Sequence, residues 1–243
     1  MKSFNYGLTA LILLISLSAC AQKKRKGNGT LITEERNISR FTALKVSGAF
    51  NVELTAALED QLTIYADENL MEDIITEVKG DALIIRNKKN TYLKSSNHKR
   101  ITIKVPLVAL RLAKLSGSGK IHSEEIVRSQ SFSSILSGSG KITLGLTAKE
   151  VNTQLSGSGK IRHNGTTTSV AANVSGSGSI HVEELVAQQA TAKVSGSGSI
   201  YLQCKKDLEA SVSGSGRIRY SGKPTGMVET KVGGSGSIRP SIK

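Results

Sequence analysis

From residue 112 onward, apolar and polar positions alternate with a period of two, and the alternation itself recurs at intervals close to twenty residues. The recurrence is marked by the unit Ser-Gly-Ser-Gly, whose copies start at Ser116, Ser137, Ser156, Ser175, Ser195, Ser213 and Gly233, with intervals of 21, 19, 19, 20, 18 and 20 residues. Ile follows every unit by two positions: Ile121, Ile142, Ile161, Ile180, Ile200, Ile218 and Ile238. Leu or Val immediately precedes it: Leu115, Leu136, Leu155, Val174, Val194, Val212 and Val232. Two residues before that stand only small side chains, Ala113, Ser134, Thr153, Ala172, Ala192, Ala210 and Thr230. Fixed positions that alternate with free ones describe strands with one face on a core, and a fixed period near twenty describes a solenoid.

Each repeat is too short for a helix plus a strand with turns, and none carries a stripe of 3.6-residue period. The pattern predicts an all-β chain: a parallel β-helix with coils of about 20 residues, each of two or three short strands. Stacked coils lie about 4.8 Å apart, so the seven-coil section is expected to be roughly 29 Å tall. The Leu/Val and Ile columns then point into the tube, and Ser-Gly-Ser-Gly is the bend between them. Gly117 and Gly119, with their equivalents down to Gly234 and Gly236, supply positive φ or close backbone approach. The serines are expected to form hydroxyl ladders. A flexible linker has no reason to keep Ile at one offset seven times, and charged residues in the variable columns argue against a silk-like aggregate.

Residues 31–110 lack the unit but contain the strand-like runs "FTALKV", "QLTIYA", "ITEVKG", "ALIIRN" and "ITIKVP", with a helical turn at "DENLMEDI" that could cap or cross the tube. "VSGAFNVEL" reads as a degenerate coil: Val46 stands in the Leu/Val column, Phe50 at the second Gly and Val52 in the Ile column. One solenoid is expected over 31–243, irregular over 31–110 and regular over 111–243.

The first nineteen residues read as a secretory leader, with Lys2 at its start and an apolar run over Leu8–Ala19 too short to span a bilayer. Its end, "LSAC", resembles a bacterial lipobox, which implies a mature chain beginning at Cys20 and lipidated there. Residues 20–30, with Lys23, Lys24, Arg25 and Lys26, read as a basic tether able to meet anionic headgroups or stay solvated. With Cys20 acylated, Cys204 is left alone, so packing must replace disulfides. There is no Trp and only 4% aromatic residues, so the core must be aliphatic. A net charge of +14 favours anionic partners in a general way.

The combination "FTALKVSGAFNVEL", "ADENLMEDIITEVKGDALIIR" and tandem "SGSGKI" coils behind a lipoprotein leader resembles the bacterial head GIN domain family of auto-transporter adhesins. The resemblance runs from about Phe41 to Ile238. It implies a right-handed β-helix related to pectin-lyase-like solenoids and a role in adhesion, and it offers no catalytic residues to carry over. With the lipobox, the expected place is the cell envelope, lipid-anchored at the outer membrane on its periplasmic or its surface side.

The chemistry-bearing residues are sparse. Enzymes on β-helices cluster carboxylates, but from Ser116 onward there are one Asp, Asp207, and seven Glu, of which Glu124/Glu125 and Glu183/Glu184 are adjacent pairs three coils apart. Ile stands where a calcium-binding nonapeptide repeat needs Asp, and "GSGK" has neither the full spacing of a phosphate loop nor a following helix. His122 and His181 share a column three coils apart, too far for one metal ion; these two, His98 and His163 read as exposed polar side chains. Neither metal nor cofactor is expected. The columns flanking the Ile ladder point outward and contain Lys120, Lys141, Lys160, Arg162, Arg217, Arg219 and Arg239. That basic face reads first as a charge barrier to aggregation, and as an alternative it suits an anionic glycan, lipopolysaccharide or an acidic envelope protein. Nucleic acid is disfavoured because no aromatic platforms interleave the charges. Three functions remain open: a non-catalytic lipid-anchored adhesin, a carbohydrate-active enzyme and a structural scaffold.

Overall fold

The computed structural model describes residues 23–56, 60–96, 101–107 and 109–241. The leader, Cys20 and His98 lie outside the described residues. Of the described residues, 74% are strand and 3% helix, in a solenoid of about six turns with coils of about 20 residues. Its elements are β1 (Lys23–Lys26), β2 (Leu31–Asn37), β3 (Ala43–Ser47), β4 (Asn51–Thr55), β5 (Gln61–Asp67), the 3₁₀ helix η1 (Glu68–Asp73), β6 (Ile74–Lys79), β7 (Ala82–Asn87), β8 (Thr91–Lys94) and β9 (Thr102–Pro106). There follow β10 (Leu112–Gly117), the coil-long strands β11 (Lys120–Gly138), β12 (Lys141–Gly157), β13 (Lys160–Gly176), β14 (Ser179–Gly196) and β15 (Ser199–Gly214), then β16 (Arg217–Ser221), β17 (Val228–Gly233) and β18 (Ser237–Pro240).

The sequence columns are physical ladders. β11 to β15 pair in parallel, with Ile121 opposite Ile142, then Ile161, Ile180 and Ile200, and with Leu136 opposite Leu155, then Val174, Val194 and Val212. The Ile residues from 121 to 218 are fully buried, and so is the small column from Ala113 to Ala210, which leaves room at the centre of the tube.

The bend needs both of its glycines, for different reasons. Gly157 has φ +115, and a Cβ there would sit 2.6 Å from the carbonyl oxygen of Gly138 in the preceding coil. Gly140 has ordinary φ, but its Cβ would meet both Gly119 O and the Leu115 side chain at 2.8 Å. The bends are tied by backbone groups: Ser139 N donates to Gly117 O at 3.1 Å, Lys141 N to Gly119 O at 3.0 Å and Gly159 N to Gly138 O at 2.9 Å. The first serines of these units stack in register, Ser137 opposite Ser156, then Ser175, Ser195 and Ser213, while the bonds that tie the bends run from backbone to backbone.

The first half is stacked out of chain order. β3 and β4 do form the degenerate coil, with Val46 opposite Leu115 and Val52 opposite Ile121. The coil beyond it is made by the later strands β7 and β9, which pair with β3 and β4 respectively. Antiparallel strands then close the tube, β6 on β7 and β5 on β9, with β2 outside β5. Helix η1 joins β5, which lies beside β9, to β6, which lies beside β7, and buries Leu70 and Met71. Sequence position alone suggested irregular coils in series; antiparallel capping is the better end, since it leaves no parallel edge open.

Residues 23–30, expected as a tether, are part of this cap. β1 pairs in parallel with β8, Arg25 contacts Asp73 at 3.1 Å, and Asn69 Nδ2 donates to Lys26 O at 2.9 Å. Asp67, fully buried, accepts bonds from Gly29 N at 2.9 Å, Ser95 Oγ at 2.7 Å and Ser96 N at 3.0 Å. Burial alone would raise its pKa; these donors outweigh it and hold the carboxyl at about 2.

Replacing Gly157 by Ala is expected to destabilise the fold by at least about 2 kcal/mol, because it combines a left-handed φ with a backbone collision. Ser158→Ala, one residue away on the surface, should stay within about 0.5 kcal/mol. Denaturant midpoints of the two variants check the contrast.

Candidate functional site

Two outer surfaces of the regular coils flank each glycine bend. The first follows the bend. Its two columns are continuous in register: Lys120, Lys141, Lys160, Ser179, Ser199, Arg217 and Ser237 in one, and His122, Thr143, Arg162, His181, Tyr201, Arg219 and Arg239 in the other. The inward Ile between them forces both columns out by the alternation of strand side chains. All seven basic residues named from sequence therefore share one face, in rows about 4.8 Å apart.

The charges on that face are mostly unpaired. Arg162 has Glu184 at 3.9 Å, whereas Lys120, Lys141, Lys160, Arg217, Arg219 and Arg239 form no ion pair among the described residues. His122 faces Glu53 at 3.6 Å. Column composition did not show that His181 and Tyr201 stack, with ring centroids 4.7 Å apart and planes 11° off parallel. His181 Nδ1 is held at 3.0 Å by Glu183, and that bond lowers the Glu183 pKa although burial opposes it. The outer column thus runs Arg162, His181, Tyr201, Arg219: an aromatic step between two guanidinium groups. The signal was available, as two ring residues at one column position in successive repeats.

The second surface precedes the bend and carries two grooves. One, of about 700 Å³, runs along the solenoid past Ile135, Gln154, Asn173, Lys193, Ser211 and Lys231 and the first serine of five units, Ser137 to Ser213. The other, of about 530 Å³, is lined by Glu150, Asn152, Ser169, Gln189, Asp207 and Glu209 among others. Here opposite charges neutralise each other, Lys193 with Glu209 at 3.3 Å and Lys231 with Glu229 at 2.7 Å. These grooves were not evident in the sequence because a groove depends on how adjacent columns splay.

The remaining candidates are not brought together. Glu124 and Glu125 are exposed, and among the described residues no three His, Cys, Asp or Glu side chains are placed to hold a metal ion. Cys204 is buried, donates to Asp207 O at 3.0 Å, and has its thiol pKa raised by burial. His163 departs from the exposed side chain expected. It lies opposite Leu144 in an inward column, is fully buried, and meets Ser134 Oγ at 2.8 Å, with Thr153 Oγ1 a further 3.4 Å from that hydroxyl. Burial lowers its pKa to about 4, only partly offset by nearby backbone groups of Leu144 and Arg162. The small column makes this possible, since Ser134 and Thr153 place hydroxyls inside the tube.

Fold and surface define a class: a rigid β-solenoid that displays ladders of side chains. Residues 40–224 match the family described as "Putative auto-transporter adhesin, head GIN domain", and the chain belongs to that family. Among solved structures, one from Parabacteroides distasonis, described as a "putative lipid binding protein", is 26% identical with a TM-score of 0.74, over 90% of this chain and 100% of that one. A "putative adhesin" from Bacteroides fragilis is 24% identical with a TM-score of 0.80, over 89% of this chain and all of that one. Another from P. distasonis is 24% identical with a TM-score of 0.65, over 90% of this chain and all of that one; at that identity the likeness bears on fold alone. No curated protein matches the chain.

A neutral His163 costs stability in acid. The unfolded chain takes up this proton near pH 6.5 and the folded one only near pH 4, so the contribution is complete above 6.5 and lost as pH falls to about 4. The loss should approach about 3 kcal/mol. In His163→Leu, which restores the apolar column, the slope of stability against pH over that window should flatten, as read from unfolding curves.

Proposed function

We propose that this protein is a non-catalytic, lipid-anchored component of the cell envelope that binds an anionic glycan, lipopolysaccharide included, along its basic face. The observation carrying this reading is the registered double column from Lys120 to Arg239, in which all but one of the seven cations lack a carboxylate partner. A repeat of about 4.8 Å along a straight face suits a polymer with regularly spaced charges, and the ring pair His181/Tyr201 offers apolar contact between Arg162 and Arg219. The family description is that of an adhesin and supports a cell-envelope or surface location; no enzymatic activity is named for it or for the solved relatives.

The anchor is supported by the leader, by Cys20 and by the strand that begins just after it. Only two residues separate Cys20 from β1, a reach of roughly 10 Å. Lys24, Lys26, Tyr92 and Lys94 lie on the outer side of the β1–β8 pair, all exposed, so a lipid on Cys20 would bring cationic and aromatic side chains to the headgroups. The relative described as lipid binding is compatible with such contact.

Changing Arg162, Arg219 and Arg239 to Ser should weaken binding to acidic polysaccharide or lipopolysaccharide by about tenfold or more, with binding by the unaltered protein falling as salt rises. Gln154→Ala/Asn173→Ala, in the larger groove, should bind normally; the reverse result would move the site to that groove. Separately, Cys20→Ala should abolish incorporation of labelled fatty acid, and continued labelling would remove the anchor.

A further inference from the structure

The two ends of the solenoid are finished differently. At the first, η1 and the antiparallel strands close the mouth. At the second, β17 pairs only with β15 and β18 only with β16. Three of the large apolar side chains left exposed lie on or beside β17: Met227 at 63%, Val228 at 46% and Val232 at 49%. Val228 and Val232 continue columns whose members one coil earlier, Leu208 and Val212, are buried. β18 ends in Pro240, which cannot donate to a new strand; β17 has no proline, no bulge and no covering segment among the described residues.

The edge that β17 presents is self-complementary. Leu208 N donates to Met227 O, and bonding directions alternate along a strand, so the N–H and C=O of Val228, Thr230 and Val232 point away from β15 to the open side. Read about Thr230, the strand is Val-Glu-Thr-Lys-Val. In an antiparallel pairing centred there, Thr230 meets Thr230, Val228 meets Val232, and Glu229 meets Lys231 twice. The pairs about Thr230 and the valines are of the hydrogen-bonded kind. The Glu229–Lys231 pairs fall at the intervening positions, where side chains approach more closely. Glu229 and Lys231 are already matched within one chain, at 2.7 Å, and would exchange partners without loss of charge balance.

We propose that β17 is the docking edge for a second copy of this chain, which joins tail to tail about a two-fold axis through Thr230. The valine columns of one solenoid then continue into the other, and the pairing consumes the edge on both copies, so the assembly closes at two. The capped first ends face outward, where a lipid on each chain would hold both.

The test uses the full chain with Thr230→Cys. Paired residues at this position have Cα atoms about 5.5 Å apart, within the range a disulfide spans. Mild oxidation should cross-link it into a dimer at least about tenfold faster than Lys223→Cys, which keeps the same native cysteines on an exposed loop off the axis. Adding Glu229→Lys to Thr230→Cys sets Lys against Lys and should slow cross-linking, and adding Glu229→Lys together with Lys231→Glu should restore it. Cross-linking of Thr230→Cys no faster than that of Lys223→Cys overturns the proposal, and so does a charge swap that fails to restore the rate while the chain keeps its resistance to protease. If Glu229→Lys alone unfolds the last coil, the comparison of the two cysteine variants decides.

Discussion

The close approach of backbone to backbone at the glycine bend is the constraint on which the rest of this protein depends. At Gly138, Gly157 and their equivalents, one coil lies so near the next that no Cβ fits, and the peptide groups bond directly across the gap. That contact sets the register, and the register converts each sequence column into a ladder. Once Ile lies on Ile and Val on Val, the core follows, and the polar columns on either side have no freedom to face anywhere but out.

A scaffold of this kind separates what holds it together from what it shows. The inward columns are nearly uniform from coil to coil, whereas the outward ones change from Lys to Ser to Arg, or from His to Tyr to Arg, without disturbing a single buried contact. The bend divides the surface: cations with few partners on one side, and on the other amides, hydroxyls, the ion pairs Lys193–Glu209 and Lys231–Glu229, and carboxylates such as Glu150 and Asp207. Such a partition concentrates positive charge on one face of the solenoid. The aromatic step at His181 and Tyr201 lies in the middle of that face, held by Glu183.

The repeating half was legible because every coil states the same rule. Seven copies of one offset between Gly and Ile leave little choice of architecture, and the degenerate copy at Val46–Val52 could be recognised by the same offsets. The cap was not legible in that way. Its strands are individually clear, yet β7 and β9 stack beyond β3 and β4 although they come later in the chain, and nothing local records that order. Lys23–Thr30 looked like a tether because its composition is polar; its place is set by Asp67, Asn69 and Asp73, far along the chain. His163 is polar and so reads as a surface residue by composition, but its column, occupied by Leu144 one coil earlier, is an inward one.

The sequence by itself determined the period, the parallel stacking, the inward and outward columns and the line of cations, because each depends only on residue spacing and on the two-fold alternation of strand side chains. The tertiary structure alone decided how the ends are finished, which charges keep partners, where the grooves run and that a histidine is sealed within the tube. Those features arise from contacts between segments far apart in the chain, or between coils whose side chains must splay around one another, and spacing along a sequence carries no measure of either.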